Sequence, residues 1–187
     1  MKKDPTVSIG RGTFMIKIIN IQEKEKALRE LNKFSKRRYD SVDIEFINVH
    51  LKNINKICGR KLFDKNSLFV RSSTLWEIMQ PVGGKGSHNF HGLKSEDILG
   101  ALKGAIDPYS VYIARNKRIA VCTLFENFEH EKLLIVIELH CGLESDRFAN
   151  INKIVSVYPK YNIDNLLLKL DKKEILYIKK ENRTGLQ

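Results

Sequence analysis

The chain has 187 residues, 42% of them hydrophobic, with 33 Lys+Arg against 22 Asp+Glu for a net charge of +11. A chain of this length and composition buries roughly 70% of its unfolded surface, so it needs neither disulfides nor a metal to fold. Frequent isoleucine and leucine exclude a disordered chain, and the basic excess makes a polyanion the first partner to consider. The charge is uneven. Residues 1–60 hold 14 basic and 7 acidic residues, 61–120 hold 9 and 5, and 121–187 hold 10 and 10. Cys58, Cys122 and Cys141 are odd in number and lack C-x-x-C spacing, which points to free thiols in a reducing compartment. The charged start, with no apolar run following it, carries no secretory signal, and the longest apolar run, 133–137, is far too short to span a bilayer. The expectation is a cytoplasmic protein that does not engage a membrane.

In chain order, the isoleucine-rich stretch 14–21 reads as a strand, interrupted by Lys17 and Asn20. Residues 22–39 read as a helix, with Ala27, Leu31 and Phe34 at helical spacing. Seven cations (Lys24, Lys26, Arg29, Lys33, Lys36, Arg37 and Arg38) meet only three acids there, so this helix is either an ordinary solvated face or a phosphate-contacting one. The segment 42–58 shows two periods. Val42, Ile44 and Phe46 alternate as in a strand, whereas Ile47, Leu51, Ile54 and Cys58 keep helical spacing and Gly59 stands where a helix ends. It is read as a helix.

Residues 68–70 form a short strand, with Ser72 and Ser73 capping a helix over 74–79. PVGGKGS at 81–87 is a loop. Its lysine is followed by glycine, not Ser or Thr before a helix, so it is not a nucleotide-binding P-loop. A helix starts at Ser95, has Glu96 and Asp97 at its positive end, and stops at Asp107-Pro108. The rest reads as strands over 111–114, 118–125, 132–141, 152–158 and 174–180, with a hairpin at Asn116-Lys117 and a short helix over 165–170. The predicted fold is α+β, with N-terminal helices packed on a four- to five-stranded antiparallel sheet. It divides into a basic, mainly helical extension (1–60) and an α+β domain (61–187).

His88 and His91 lie between the glycine loop and the helix at Ser95. No third ligand lies near them and the glycines argue against a helix, so no metal site and no cofactor are expected. Imidazoles titrate near neutrality, which makes this pair the best acid–base candidates in the chain. In the strand SVYPK, Ser156 and Tyr158 share a face and Lys160 follows; Tyr177 and Lys179 repeat the pattern in the last strand, with Leu176 and Ile178 toward the core. Histidine, serine, tyrosine and lysine are the residue types that metal-free RNA cleavage needs. One group takes the 2′-hydroxyl proton, another protonates the leaving 5′-oxygen, and cations or hydroxyls hold the charge on phosphate.

From Ser72 onward the chain resembles phage-encoded members of the barnase–EndoU–colicin–RelE-like nuclease superfamily, which often serve as toxin domains. The matching stretches are SSTLWEIM, HNFHGLKSEDILGALKGAIDPYSVYIA, LLIVIEL, INKIVSVYPK and EILYIKK, about 115 residues in all. The resemblance implies metal-independent ribonuclease activity, frequently on tRNA, on a four-stranded antiparallel sheet, with an immunity or antitoxin protein as a fitting partner. By position it implies catalytic roles for His91, Ser156, Tyr158 and Tyr177, with His88 and Lys160 as weaker matches. Lys160, Lys179, Lys85, Arg37 and Arg38 are the expected RNA-binding cations. The alternative is a non-catalytic module on a degenerate nuclease fold, binding nucleic acid or protein, such as a phage-encoded inhibitor of a host protein.

Overall fold

The computed structural model describes residues 15–39, 42–82, 90–143 and 149–180. Its first unit is strand β1 (Met15–Asn20), helix α1 (Lys24–Lys36) and strand β2 (Val42–Ile47). β1 and β2 pair in parallel, as strands joined by a helical crossover can and strands joined by a tight turn cannot. In α1, Ala27, Leu31 and Phe34 are buried on one side, and most of its lysines and arginines stay outside.

Residues 42–58 do not form the expected single helix. Ile44 and Phe46 are fully buried in β2, and the chain then bends at Asn48 and His50, whose φ angles of +64° and +58° no strand or helix tolerates. Only α2 (Lys52–Ile57) is helical, and Gly59, at φ +62°, ends it. The helical spacing of Ile47, Leu51, Ile54 and Cys58 therefore runs across a strand, a bend and a helix. Asn55 ties α2 to the following loop: its Oδ1 accepts from the backbone N–H groups of Leu62 and Phe63, and its Nδ2 donates to the Phe63 carbonyl.

The remaining elements are β3 (Leu68–Arg71), α3 (Ser72–Met79), α4 (Ser95–Gly104), β4 (Ser110–Ile113), β5 (Ile119–Glu126), β6 (Lys132–Cys141), β7 (Ile151–Lys160), α5 (Ile163–Lys169) and β8 (Ile175–Ile178). The eight strands form one sheet in the order β1-β2-β3-β7-β6-β5-β4-β8. β1/β2 and β3/β7 are parallel, and the other pairs are antiparallel. The class is α+β, but the sheet is larger than four or five strands and mixed, not antiparallel. The reason lies in the chain up to Arg71, which adds β1, β2 and β3 to one side of the β4–β7 meander. The expected boundary at residue 60 falls between two paired strands, β2 and β3, whose apolar side chains share one core.

Helices α1, α3 and α4 cover one face, where Leu31, Phe46, Leu75, Leu102 and Ile135 meet. On the opposite face Ile163 and Leu167 of α5 pack against Tyr112, Ala120, Cys122 and Leu134. β6 is covered on both faces, which explains its unbroken apolar run: Leu133, Ile135 and Ile137 face the first layer and Leu134 the second. The β4–β5 hairpin turns at Asn116 and Lys117, both at positive φ. Ser72 does not cap α3; its hydroxyl donates to the Tyr39 carbonyl at 2.5 Å and fastens the end of the α1–β2 connection. Ser95 likewise donates to Asn32 Oδ1 at 2.6 Å, joining α4 to α1. Among the described residues no helix is long and apolar enough to cross a membrane.

Candidate active site

β3 pairs with β7 only at Phe69 and Lys153 and ends at Arg71, where α3 begins. The second half of β7 therefore runs on beyond its β3 neighbour, and Pro159, which has no N–H for a ladder, sits in that half. β7 also carries an irregularity: Val136 pairs with Ser156, but Ile137 pairs with Ile154. The extra residue acts as a bulge that lets Ile154 and Val157 both reach the main core while Ser156 and Tyr158 point away from it.

His91 arrives at this half of β7 from the segment that precedes α4. Two backbone hydrogen bonds hold the segment to the end of α3: Gly92 N–H to the Gln80 carbonyl at 2.7 Å, and Leu93 N–H to the Ile78 carbonyl at 3.3 Å. Leu93 is buried in the main core and anchors the segment from its other side. Gly92 adopts φ +65°, a left-handed conformation that favours glycine and turns the chain between these anchors. The result places His91 Nε2 3.3 Å from Ser156 Oγ and the imidazole 5.5 Å from the Tyr158 ring, centre to centre, at 42°.

The electrostatics of this trio follow from burial. His91 is half-buried, and desolvation holds its imidazole below the ordinary histidine value, so the neutral, proton-accepting form dominates at neutral pH. Burial, and then the neighbouring Cys122 thiol, push the Tyr158 phenol up. Burial also raises Tyr112 on the same face, and it raises Cys122 to about 12. Both phenols thus keep their protons. A neutral base, a hydroxyl that orients it and a protonated phenol stand together.

Lys160, two residues beyond Tyr158, shares its face by strand alternation. Tyr177 and Lys179 are elsewhere. β6, β5 and β4 separate β8 from β7, a span of roughly 19 Å at the usual strand spacing. Tyr177 pairs with Val111 and packs against the main core, whereas Ile178 is 42% exposed; the expected facing of these two residues is reversed. The β4–β8 pairing shifts register between Val111 and Tyr112, which sets this parity. Lys179 is engaged by Asp107 at 2.5 Å. His88 and Lys85, with most of the 81–87 loop, lie outside the described residues.

Arg37 and Arg38 stand at the end of α1, each beside an aromatic ring that the sequence pattern did not single out. The Arg38 guanidinium lies 6.0 Å from the Trp76 ring centre, and Arg37 lies 5.3 Å from that of Tyr39. Trp76 meets Phe90 edge-on at 5.9 Å. The available signal was a lone tryptophan on a short helix and a phenylalanine next to the candidate histidine.

Two surface cavities lie away from His91. One, about 580 Å³, is lined by Tyr109, Asp164, Leu167, Leu170 and Ile178; the other, about 510 Å³, lies between α1, α4 and Phe125. Among the described residues no group of three His, Cys, Asp or Glu side chains could hold a metal ion. No family model matches this chain. Neither a curated protein nor a solved structure shows significant similarity to it.

Proposed function

We propose that the protein is a metal-independent RNA endonuclease, a toxin of the barnase–EndoU–colicin–RelE-like kind acting on tRNA or other cytoplasmic RNA. The observation that carries this reading is the approach of His91 to Ser156 and Tyr158. A neutral imidazole takes the 2′-hydroxyl proton, O2′ bonds to phosphorus, and the P–O5′ bond breaks. The leaving 5′-oxygen takes the proton of the Tyr158 phenol, and the His91 imidazolium then returns a proton to the phenolate. Ser156 orients the imidazole, and Lys160 offers a cation to the phosphate oxygens. The products are a 2′,3′-cyclic phosphate and a 5′-hydroxyl, so atoms and protons balance. An immunity or antitoxin protein is the partner this activity would require in the producing cell.

The test is incubation of the purified protein with total RNA in EDTA, with sequencing of the new ends. Discrete cuts bearing cyclic phosphate, reduced 10²- to 10⁴-fold in His91→Ala, support the proposal. Equal cutting by His91→Ala sinks it. The second reading, a binding module without catalysis, draws on Tyr177, one of the residues the resemblance marks as catalytic, which packs on the face of the sheet opposite Tyr158. RNA binding that weakens steeply with salt, with no cleavage, is its signature.

A further inference from the structure

We propose that Trp76 and Phe90, with Arg38 over the Trp76 ring and Arg37 next to it in the chain, form a nucleobase-stacking subsite that takes an unpaired nucleotide of single-stranded RNA beside His91. This deepens the ribonuclease reading and rests on it for the RNA substrate. The buried side of α3 consists of Ser72, Leu75, Ile78 and Met79. Trp76 lies off that stripe, and neither it nor Phe90 belongs to the main core or to the smaller cluster on the opposite face. Both side chains are partly buried, short of full burial, and their rings meet edge-on at 5.9 Å. A tryptophan and a phenylalanine that stay partly accessible outside both clusters leave ring surface that water solvates poorly and a base can cover.

The cations are placed to match. Arg38 stands over the Trp76 ring and Arg37 over Tyr39, and both arginines are exposed. A guanidinium that stacks on an aromatic ring also meets phosphate in a bidentate fork, so one side chain can serve both the base platform and the backbone. Hydrogen bonds of Gln80 tie the backbones that carry the group. Gln80 Nε2 donates to the Trp76 carbonyl at 3.0 Å and to the Ser35 carbonyl at 3.4 Å, and the Gln80 carbonyl accepts from Gly92 N–H. The same residue therefore braces the helix carrying Trp76, the end of α1 and the segment carrying Phe90 and His91.

Phe90 directly precedes His91, so a base stacked there belongs to a nucleotide at or next to the one whose 2′-hydroxyl His91 meets. Bases inside a duplex have no free face to offer, whereas splayed bases in loops and single strands do. The subsite accordingly selects unpaired RNA and is tolerant of base identity.

Trp76 is the sole tryptophan, so its emission reports on this subsite alone. The experiment titrates full-length His91→Ala protein with a ten-nucleotide single-stranded RNA, with the same sequence as a duplex, and with heparin, a polyanion without bases. The proposal expects saturable quenching by the single strand, affinity roughly tenfold to a hundredfold above the duplex, and no comparable quenching by heparin. With labelled RNA and anisotropy as the readout, Phe90→Ala and Trp76→Leu each lose about tenfold or more in affinity, while Trp76→Phe recovers part of the loss. Circular dichroism confirms that each variant is folded. Equal quenching and affinity for single strand, duplex and heparin overturn the proposal, as does a folded Phe90→Ala variant that binds like its parent. Failures of the two readings separate cleanly. His91-dependent cleavage without any Trp76 response removes the stacking subsite and keeps the nuclease. Base-dependent quenching without cleavage in the wild-type protein keeps the subsite and removes the nuclease.

Discussion

Nε2 of His91 and Oγ of Ser156 are 3.3 Å apart although 65 positions separate them in the chain. The first is delivered by a short segment pinned to α3, the second by the position that follows the bulge in β7, and neither element alone makes a site. Because burial holds the imidazole below its ordinary value near 6.5, His91 stays neutral to lower pH than a solvated histidine would. The acidic limb of kcat/KM for RNA cleavage is therefore expected to have its midpoint below 6.5. Ser156→Ala removes one modest hydrogen bond, and a rate loss of roughly twofold to tenfold is expected, much less than for His91→Ala. A pH–rate profile of the three proteins checks both statements.

The same shift links folding to pH. Above about 6.5, His91 is neutral in both the folded and the unfolded chain and contributes no slope. Below that value the unfolded chain takes up the proton more readily than the folded one, so stability falls as pH falls, until the folded imidazole is protonated too. Thermal melts between pH 7.5 and pH 5 are expected to show a decline in Tm that is shallower in His91→Gln. A slope identical in the two proteins would show that the folded imidazole titrates like a solvated one.

Gly92 joins stability to the site. Its φ of +65° costs an L-residue about 1 kcal/mol, although a Cβ there would meet nothing nearer than 3.7 Å. Gly92→Ala is expected to lower Tm by roughly 2–4 °C and to reduce cleavage by more than that stability loss explains, because the adjoining His91 shifts. Gly92→Asn, which tolerates left-handed backbone, is expected to lose less on both counts.

Gly100 offers the opposite case, in which space and not backbone decides. It is mid-helix in α4, where Ala would ordinarily gain about 1 kcal/mol. A Cβ there would lie 2.3 Å from the Phe125 ring, however, and overpacking of this kind costs about 1–3 kcal/mol. Gly100→Ala alone is expected to destabilise the protein in denaturant titration. In a Phe125→Ala background the ring is gone, and the same change is expected to stabilise it.

Local pattern was enough for some of this molecule. The apolar, β-branched composition of 132–141 and 152–158, the apolar stripe of α1, the hairpin at Asn116-Lys117 and the acids opening α4 are each local features, so the sequence displays them directly. The parallel pairing of β1 with β2 was not legible, because apolar spacing records which residues are buried and not which dihedrals they adopt. Positive φ at Asn48 and His50 breaks an apolar series that looks helical on paper.

The site divides along the same line. His91, Ser156 and Tyr158 stand out as residue types suited to one chemistry, and the basic excess in the first two thirds points to a polyanion. Their convergence and the departure of Tyr177 to the far side of the sheet were decided by strand order, one bulge in β7 and one register shift beside β8, and the meeting of Trp76, Phe90 and Arg38 by the contacts of α3 with the end of α1 and the segment before α4. Those are properties of long-range pairing. A side chain's face changes with every single-residue slip, and only the assembled sheet determines where the slips fall.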